Sequence, residues 1–318
     1  MRSDELIERA RRRAGISTVA AWPDWADARI LDDMNERQYS LASDEIVKAR
    51  AGYGAKIFQF TTTTGIAEYP VPDRAISGSF DKLEIQVTGS NASWRELEKE
   101  EFYNVTELER AAPGLPEKYC VEDGYLRLFP TPNQAYTCRV RFYIRPSRLV
   151  TSQSSTAGGD GIVRGQITAL NKTARTVTVN VVPFDQLLSP PAAITSALQR
   201  LDIVRASGQF QTVMYSQPQT LAGSVFTLGG TDSMDRVQVG DWVRVADQSD
   251  WPSNIPEEYQ SILSNRTAME IAAAIGVEER VQLIGAVVQA DVERWRSSRM
   301  PQVKSAPRDI PLFPMGLR

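Results

Sequence analysis

Residues 117–146, EKYCVEDGYLRLFPTPNQAYTCRVRFYIRP, carry the clearest structural signal in the chain. Three runs rich in β-branched and aromatic residues are separated by two turn-forming stretches, Asp123-Gly124 and Pro130–Gln134. This pattern predicts three antiparallel strands in a meander.

Alternation along these strands predicts one core face and one arginine-rich face. On the third strand, apolar residues such as Cys138 and Phe142 alternate with arginines. Arginines that cluster on a strand face can bind phosphate or carboxylate groups. The alternative is a solvated surface on which they pair with glutamates such as Glu122. The candidate DNA-contact or subunit-contact residues are Arg127, Arg139, Arg141 and Arg145.

Upstream of this stretch, the sequence predicts two helices and then strands. Residues 3–14 place apolar side chains on one side of a helix, and Asp24 can cap a second helix that runs to about residue 50. From Lys56 the period changes to two, which predicts strands within 56–90. Residues 94–110, WRELEKEEFYNVTELER, return to a helix-like pattern.

Downstream, a Ser/Gly linker at 151–161, TSQSSTAGGDG, leads into a region of short strands. Residues 160–248 include a hairpin on Asn171-Lys172 and predict a small barrel-like β domain. Residues 247–266, DQSDWPSNIPEEYQSILSNR, then lead into two C-terminal helices. Asn254 and Glu257 have the spacing of a capping box, and Gly276 separates the two helices.

The predicted fold class is α+β. We expect an α-helical bundle formed by the N- and C-terminal helices, with a β-sheet subdomain, a second inserted barrel-like β domain and an extended C-terminal tail. The predicted units are the N-terminal helices at 1–54, a β-meander subdomain with one helix at 55–150, the inserted β domain at 151–248, the C-terminal helices at 249–299 and the tail at 300–318.

Composition limits the possible functions. The 318 residues carry 36 Lys and Arg against 39 Asp and Glu, so the formal net charge of −3 gives no overall attraction to nucleic acid or anionic membranes. No segment approaches the roughly 20 apolar residues of a membrane span. The charged N-terminus lacks the apolar core of a signal peptide, and we expect synthesis in the cytoplasm.

The chain has no histidine, which excludes Ser-His and Cys-His dyads and histidine metal ligands. Gly52-Tyr53-Gly54 follows a helix instead of a strand, which is the wrong context for a nucleotide-binding loop. Acidic pairs such as Glu278-Glu279 stand at predicted helix starts, where the helix dipole favours carboxylates. We therefore expect no enzymatic activity, no catalytic or metal site and no cofactor.

The two cysteines, Cys120 and Cys138, fall on the first and third strands of the predicted meander. Strands in those positions lie about 9–10 Å apart, too far for a disulfide. We expect both thiols to be reduced and structural.

The last nineteen residues, MPQVKSAPRDIPLFPMGLR at 300–318, contain four prolines and cannot form a helix. An ordered extended segment of this kind needs a surface to lie on, most simply that of another chain. Packing on its own chain is the alternative. The residues expected to anchor this tail in a partner are Ile310, Pro311, Leu312, Phe313 and Met315.

Several segments together resemble the head-to-tail adaptor (connector) proteins of short-tailed phages. The resemblance rests on DDMNERQYSLA at 32–42, EYPVPD at 68–73, GLPEKYCVEDGYLRLFPTPNQAYTCRVRFYIRPSRL at 114–149 and WPSNIPEEYQSILSNRTAMEIAAAIG at 251–276. It implies a structural virion protein at the head–tail junction, assembled in the host cytoplasm. The region at 151–247 is longer than in the shortest members of the family.

The resemblance also implies partners. Subunits would form a dodecameric ring beneath the portal protein, extend the DNA channel, contact packaged DNA transiently and dock tail nozzle or tail fibre proteins. The C-terminal tail would reach the portal.

The alternative is a carbohydrate-binding or carbohydrate-cleaving tail module that uses the inserted β domain. The cluster that suits it is Trp242, Trp251, Asp241 and Asp250, although these are more simply turn residues beside core tryptophans. A DNA-binding regulator is a third possibility, for which the sequence offers no recognition helix.

Overall fold

The computed structural model of the protein describes most of the chain outside the C-terminal tail. The described residues are 1–16, 23–43, 55–87, 93–107, 112–151, 153–154, 161–162, 164–185, 192–194, 199–206, 212–230, 232–252, 255 and 260–299.

Four α-helices from the two ends of the described chain pack together. The first helix buries Leu6, Ala10 and Ala14, and Gly15 (φ +85°) ends it by donating its N–H to the carbonyl of Arg11 at 3.0 Å. The first, second and fourth helices all pack against the third. The helices are α1 (Ser3–Ala14), α2 (Asp27–Leu41), α3 (Ser261–Ala274) and α4 (Glu278–Arg299), with 3₁₀ turns at Pro23–Trp25 and Phe102–Asn104.

Residues 55–144 form two four-stranded sheets that share one hydrophobic core. Leu83, Val140 and Phe142 of one sheet pack with Leu126 and Leu128 of the other. The sheet orders are β1-β10-β3-β4 and β2-β8-β7-β5, and β6 pairs with β9. The strands are β1 (Ala55–Thr61), β2 (Glu68–Pro70), β3 (Ala75–Val87), β4 (Ser93–Glu96), β5 (Glu98–Lys99), β6 (Pro113–Gly114), β7 (Lys118–Glu122), β8 (Tyr125–Phe129), β9 (Thr131–Pro132) and β10 (Thr137–Ile144).

Residues 164–245 contain a closed six-stranded barrel, in the order β14-β15-β20-β19-β18-β21. Its core includes Val177, Ile203 and Phe226. The strands of the barrel region are β12 (Gln153–Ser154), β13 (Gly161–Ile162), β14 (Arg164–Asn171), β15 (Thr176–Val179), β16 (Phe184–Asp185), β17 (Ala192–Ala193), β18 (Arg200–Val204), β19 (Thr212–Ala222), β20 (Val225–Leu228) and β21 (Trp242–Val245).

The chain enters and leaves the barrel region through one narrow neck. Two short parallel strands form it, β11 (Arg148–Leu149) on the way in and β22 (Gln248–Ser249) on the way out. The helices hold the neck, since Asn35 of α2 exchanges hydrogen bonds with the backbone of Leu149 at 3.1 and 2.6 Å. Ser3 of α1 donates to the carbonyl of Val150 at 2.7 Å.

A buried charge cluster lies beside this neck. The carboxylate of Asp202, in the barrel, accepts from Arg74 of the two-sheet unit at 2.7 Å, and Arg244 of β21 approaches it to 3.8 Å. Both guanidinium groups also donate to the hydroxyl of Ser147 at 2.9 Å. All four side chains are buried. Charged groups this far from water are stable only when paired, so the cluster fixes how the barrel sits against the sheets.

The predicted fold class, an α-helical bundle that carries β subdomains, is wrong. Strands predominate over helices among the described residues, at 39% against 29%, and they are distributed over many sheets. The helical patterns at the two ends are long enough to recognise in the sequence. Many of the strands have only two to five residues, and an alternating pattern that short is difficult to detect.

Two local predictions are also wrong. The stretch at 94–110 is not a helix in its described part, because β4 pairs with β3 along the sheet edge and overrides the helix propensity of its glutamates. The meander at 117–146 is split, since β7 and β8 pair with each other while β10 lies between β1 and β3 in the other sheet. Alternation identifies a strand but not its neighbours.

We predict that Asp202→Asn destabilises the protein by about 3–5 kcal/mol, because it removes the charge of the buried carboxylate that lies nearest to both guanidinium groups and leaves Arg74 with Asp247 at 3.6 Å as its ion-pair partner. Urea unfolding followed by circular dichroism measures this change. The matched control is Asp32→Asn, which breaks an exposed pair with Arg148 (3.0 Å) and is expected to cost about 1 kcal/mol or less. Equal losses for the two variants would contradict the role assigned to the cluster.

Candidate functional site

The structure does not gather the four candidate arginines on one face. Arg139 and Arg141 are two residues apart on β10 and share the outer face of the first sheet. Arg127 lies on β8 in the second sheet and alternates with the core residues Leu126 and Leu128, so it faces away on the opposite side of the two-layer unit. Arg145 follows the end of β10 and belongs to the neck.

Arg139 is held by a cross-strand ion pair. It lies opposite Glu84 of β3, and its Nε contacts the Glu84 Oε2 at 2.5 Å. Lys82 donates to the other oxygen of the same carboxylate at 2.9 Å, and the Trp94 ring lies 4.1 Å from the Arg139 guanidinium carbon. The hydrogen bond from Arg139, aided by Lys82 and opposed by burial, lowers the pKa of Glu84 to about 2.

The other three arginines also have carboxylate partners. Arg141 contacts Asp81 at 3.2 Å, and Arg145 contacts Asp247 at 2.7 Å. Arg127 is hydrogen-bonded to Glu68 and lies 3.8 Å from Glu122. The positive charge of all four is therefore largely compensated within the chain, as in the alternative interpretation of this surface.

The two aspartates proposed for a carbohydrate site, Asp241 and Asp250, make structural contacts within the chain. Asp241 is buried and accepts from the backbone N–H groups of Gln238 at 2.9 Å and Ala206 at 3.2 Å. Asp250 is buried against Arg164 at 3.2 Å, and burial raises its pKa although Arg164 opposes the rise.

The two tryptophans of this cluster enclose the same arginine. The Arg164 guanidinium lies 4.6 Å from the ring centre of Trp242 and 4.1 Å from that of Trp251, which is buried. Both carboxylates are thus engaged, and the arrangement is that of a packed joint instead of a sugar cleft.

The other chemistry-bearing residues are buried or lie outside the described part. Cys120 and Cys138 are buried and not disulfide-bonded, and they lie in different sheets and not in one meander. Burial raises the pKa of Cys138 to about 12. The tail residues of 300–318 and the predicted cap at Asn254 and Glu257 lie outside the described residues.

Among the described residues, no three carboxylate or thiol side chains gather as a metal site would require. No described helix is both long and apolar enough to cross a bilayer.

An apolar strip on α4 was not anticipated from the sequence. On one side of α4, Ile284, Val288 and Val292 are buried. Beside them, Leu283 and Val287 are 64% and 41% exposed. Exposed aliphatic side chains four residues apart form a continuous ridge on a helix. The sequence contained the signal, since Leu283 and Val287 extend the apolar stripe beyond the width one partner needs.

We predict that Glu84→Gln lowers the free energy of unfolding by about 2 kcal/mol at pH 7, since the depressed pKa of Glu84 means that its ionised form stabilises the fold. This contribution is complete above the ordinary pKa of a glutamate and is lost as the pH falls toward 2. The difference between wild type and variant should therefore shrink between pH 5 and pH 2 in urea unfolding.

Glu117→Gln is the control, because Glu117 pairs with Arg95 at 3.4 Å on the exposed surface. Its effect should stay within about 0.5 kcal/mol at every pH. A Glu84→Gln effect that does not change with pH would contradict the assignment.

Comparison with models of protein families identifies a relationship. A family model described as SU10 adaptor protein matches residues 1–166, which include α1, α2 and both sheets. No curated protein matches the chain. The matched region covers more than half of the 318 residues. The chain therefore belongs to the SU10 adaptor family, and it is a structural phage protein of the head–tail junction that associates with portal and tail components.

Proposed function

We propose that the protein forms a homo-oligomeric ring, a dodecamer, beneath the portal, where it extends the DNA channel and docks tail nozzle or fibre proteins. The observation that carries this proposal is the family match over residues 1–166, which spans the two N-terminal helices and the two-sheet unit. The helical units at 1–54 and 249–299, whose helices pack together, would then form one part of the ring subunit, and the units at 55–150, 151–248 and 300–318 would form the others.

A closed ring needs two different, complementary surfaces on each subunit. The ridge of Leu283 and Val287 on α4 supports one of them, because it is apolar and exposed on a helix whose other side packs against the core through Ile284 and Val288. We propose that this ridge packs against the neighbouring subunit. The ridge would then become buried when subunits assemble and not when the single chain folds.

For the channel wall we propose Arg139 and Arg141, which share one face. Their charges are balanced by Glu84 and Asp81, so the attraction to a phosphate backbone is weak. Weak, non-specific attraction suits a wall along which DNA must slide. Arg127 faces the opposite side and can take part only in a subunit contact while Arg139 and Arg141 face the channel.

For portal docking we propose the tail at 300–318. Its sequence contains four prolines, a composition that disfavours a helix, and four large apolar residues near its end of the kind that fill pockets on a partner. The proposed anchors remain Ile310, Pro311, Leu312, Phe313 and Met315.

Deleting residues 300–318 should abolish docking on the portal protein while the fold stays intact. Co-sedimentation with assembled portal measures docking, and the thermal melting curve of the truncated chain measures the fold. The full chain with Val303→Ser, outside the anchor group, is the control and should dock normally. Undiminished docking of the truncated chain would refute the tail assignment.

A further inference from the structure

A cleft of about 490 Å³ lies where the first sheet meets the barrel. The sheet contributes Lys56 and Ile57 of β1 and Arg141 of β10, and the barrel contributes Tyr215 and the turn residue Arg236. Three cationic side chains from three segments of the chain therefore line one opening.

Lys56 is the most constrained of these cations. It is half-buried, and its ammonium group donates to the backbone carbonyl of Thr212 at the start of β19. The pKa of Lys56 is lowered to about 8, mainly by burial and secondly by the positive charge of Arg236. The charged form is thus held in surroundings that oppose it.

Two of the three cations that line the cleft form no ion pair with a described carboxylate. Arg141 has Asp81 as its partner, but among the described residues no carboxylate lies within 4.0 Å of the Lys56 ammonium or of the Arg236 guanidinium. Two carboxylates also line the cleft, and their recorded side-chain hydrogen bonds come from neutral groups and not from these cations. Asp232 accepts from Gln217 at 2.7 Å, and Asp235 accepts from the Ser233 hydroxyl at 2.6 Å.

We propose that this cleft binds a phosphate group between Lys56 and Arg236, with Arg141 at its edge. A phosphate presents several acceptor oxygens, so it can meet an ammonium and a guanidinium group at once and relieve their mutual repulsion. The nearby carboxylates keep the binding weak. The source of the phosphate is either a DNA backbone or a small free phosphate compound, and the cleft belongs to a single chain, so the inference does not depend on ring assembly.

The test is calorimetric titration of the full chain with inorganic phosphate at pH 7 and low ionic strength, followed by competition with a 20-base-pair DNA duplex.

The variants are Lys56→Met and Arg236→Gln, and the control is Lys99→Met, which removes the same charge from an exposed position on β5. The first two should each weaken phosphate binding about fivefold or more, and the control less than about twofold. Melting curves establish that each variant is folded, and Arg236 is exposed, so its substitution tests the site even if Lys56→Met fails to fold.

If the duplex displaces phosphate and the same variants weaken duplex binding, the site takes a DNA backbone phosphate. If phosphate binds but the duplex does not compete, the site takes small phosphate compounds. Absence of phosphate binding, or equal losses for Arg236→Gln and Lys99→Met in folded protein, would overturn the proposal.

Discussion

The rest of the structure depends on one buried ion-pair cluster, formed by Arg74, Asp202 and Arg244. Burial alone would raise the pKa of Asp202, but the two guanidinium groups lower it further than burial raises it, so the carboxylate stays charged. Burial also lowers the pKa of Arg244 to about 10. Because each charge is tolerated only beside the others, the sheets and the barrel are held in one relative position.

The neck formed by β11 and β22 lies beside this ion-pair cluster and connects the barrel to the rest of the chain. The chain enters the barrel region through β11 and leaves it through β22. Helices α1 and α2 hold the entering segment, because Ser3, Asn35 and Gln38 donate to the backbone carbonyls of Val150, Leu149 and Ser147. The helices, the sheets and the barrel therefore meet at one place. The compensated charges of Arg139 and Arg141 leave the outer sheet face close to neutral.

Sequence reasoning succeeded where a pattern was long and local. The helix at 3–14 was predicted with its boundaries, because Leu6, Ile7, Ala10 and Ala14 follow helical spacing and Gly15 ends the run. The hairpin predicted on Asn171-Lys172 was also confirmed, with Asn171 paired to Thr176 and the turn at 172–175. It failed where long-range pairing decides the outcome, as for β10, whose neighbours come from residues far away in the chain. The charge cluster left a signal that was missed, since Asp202 in the run LDIV and Arg244 in WVRV are single charges among apolar strand residues, which need buried partners.

The central claim is that this chain is a ring-forming adaptor on the portal. Native mass spectrometry of the protein mixed with the portal protein, combined with electron microscopy of the same sample, tests it most directly. The account predicts rings of twelve copies stacked beneath the portal. A stable monomer that does not associate with the portal would contradict it.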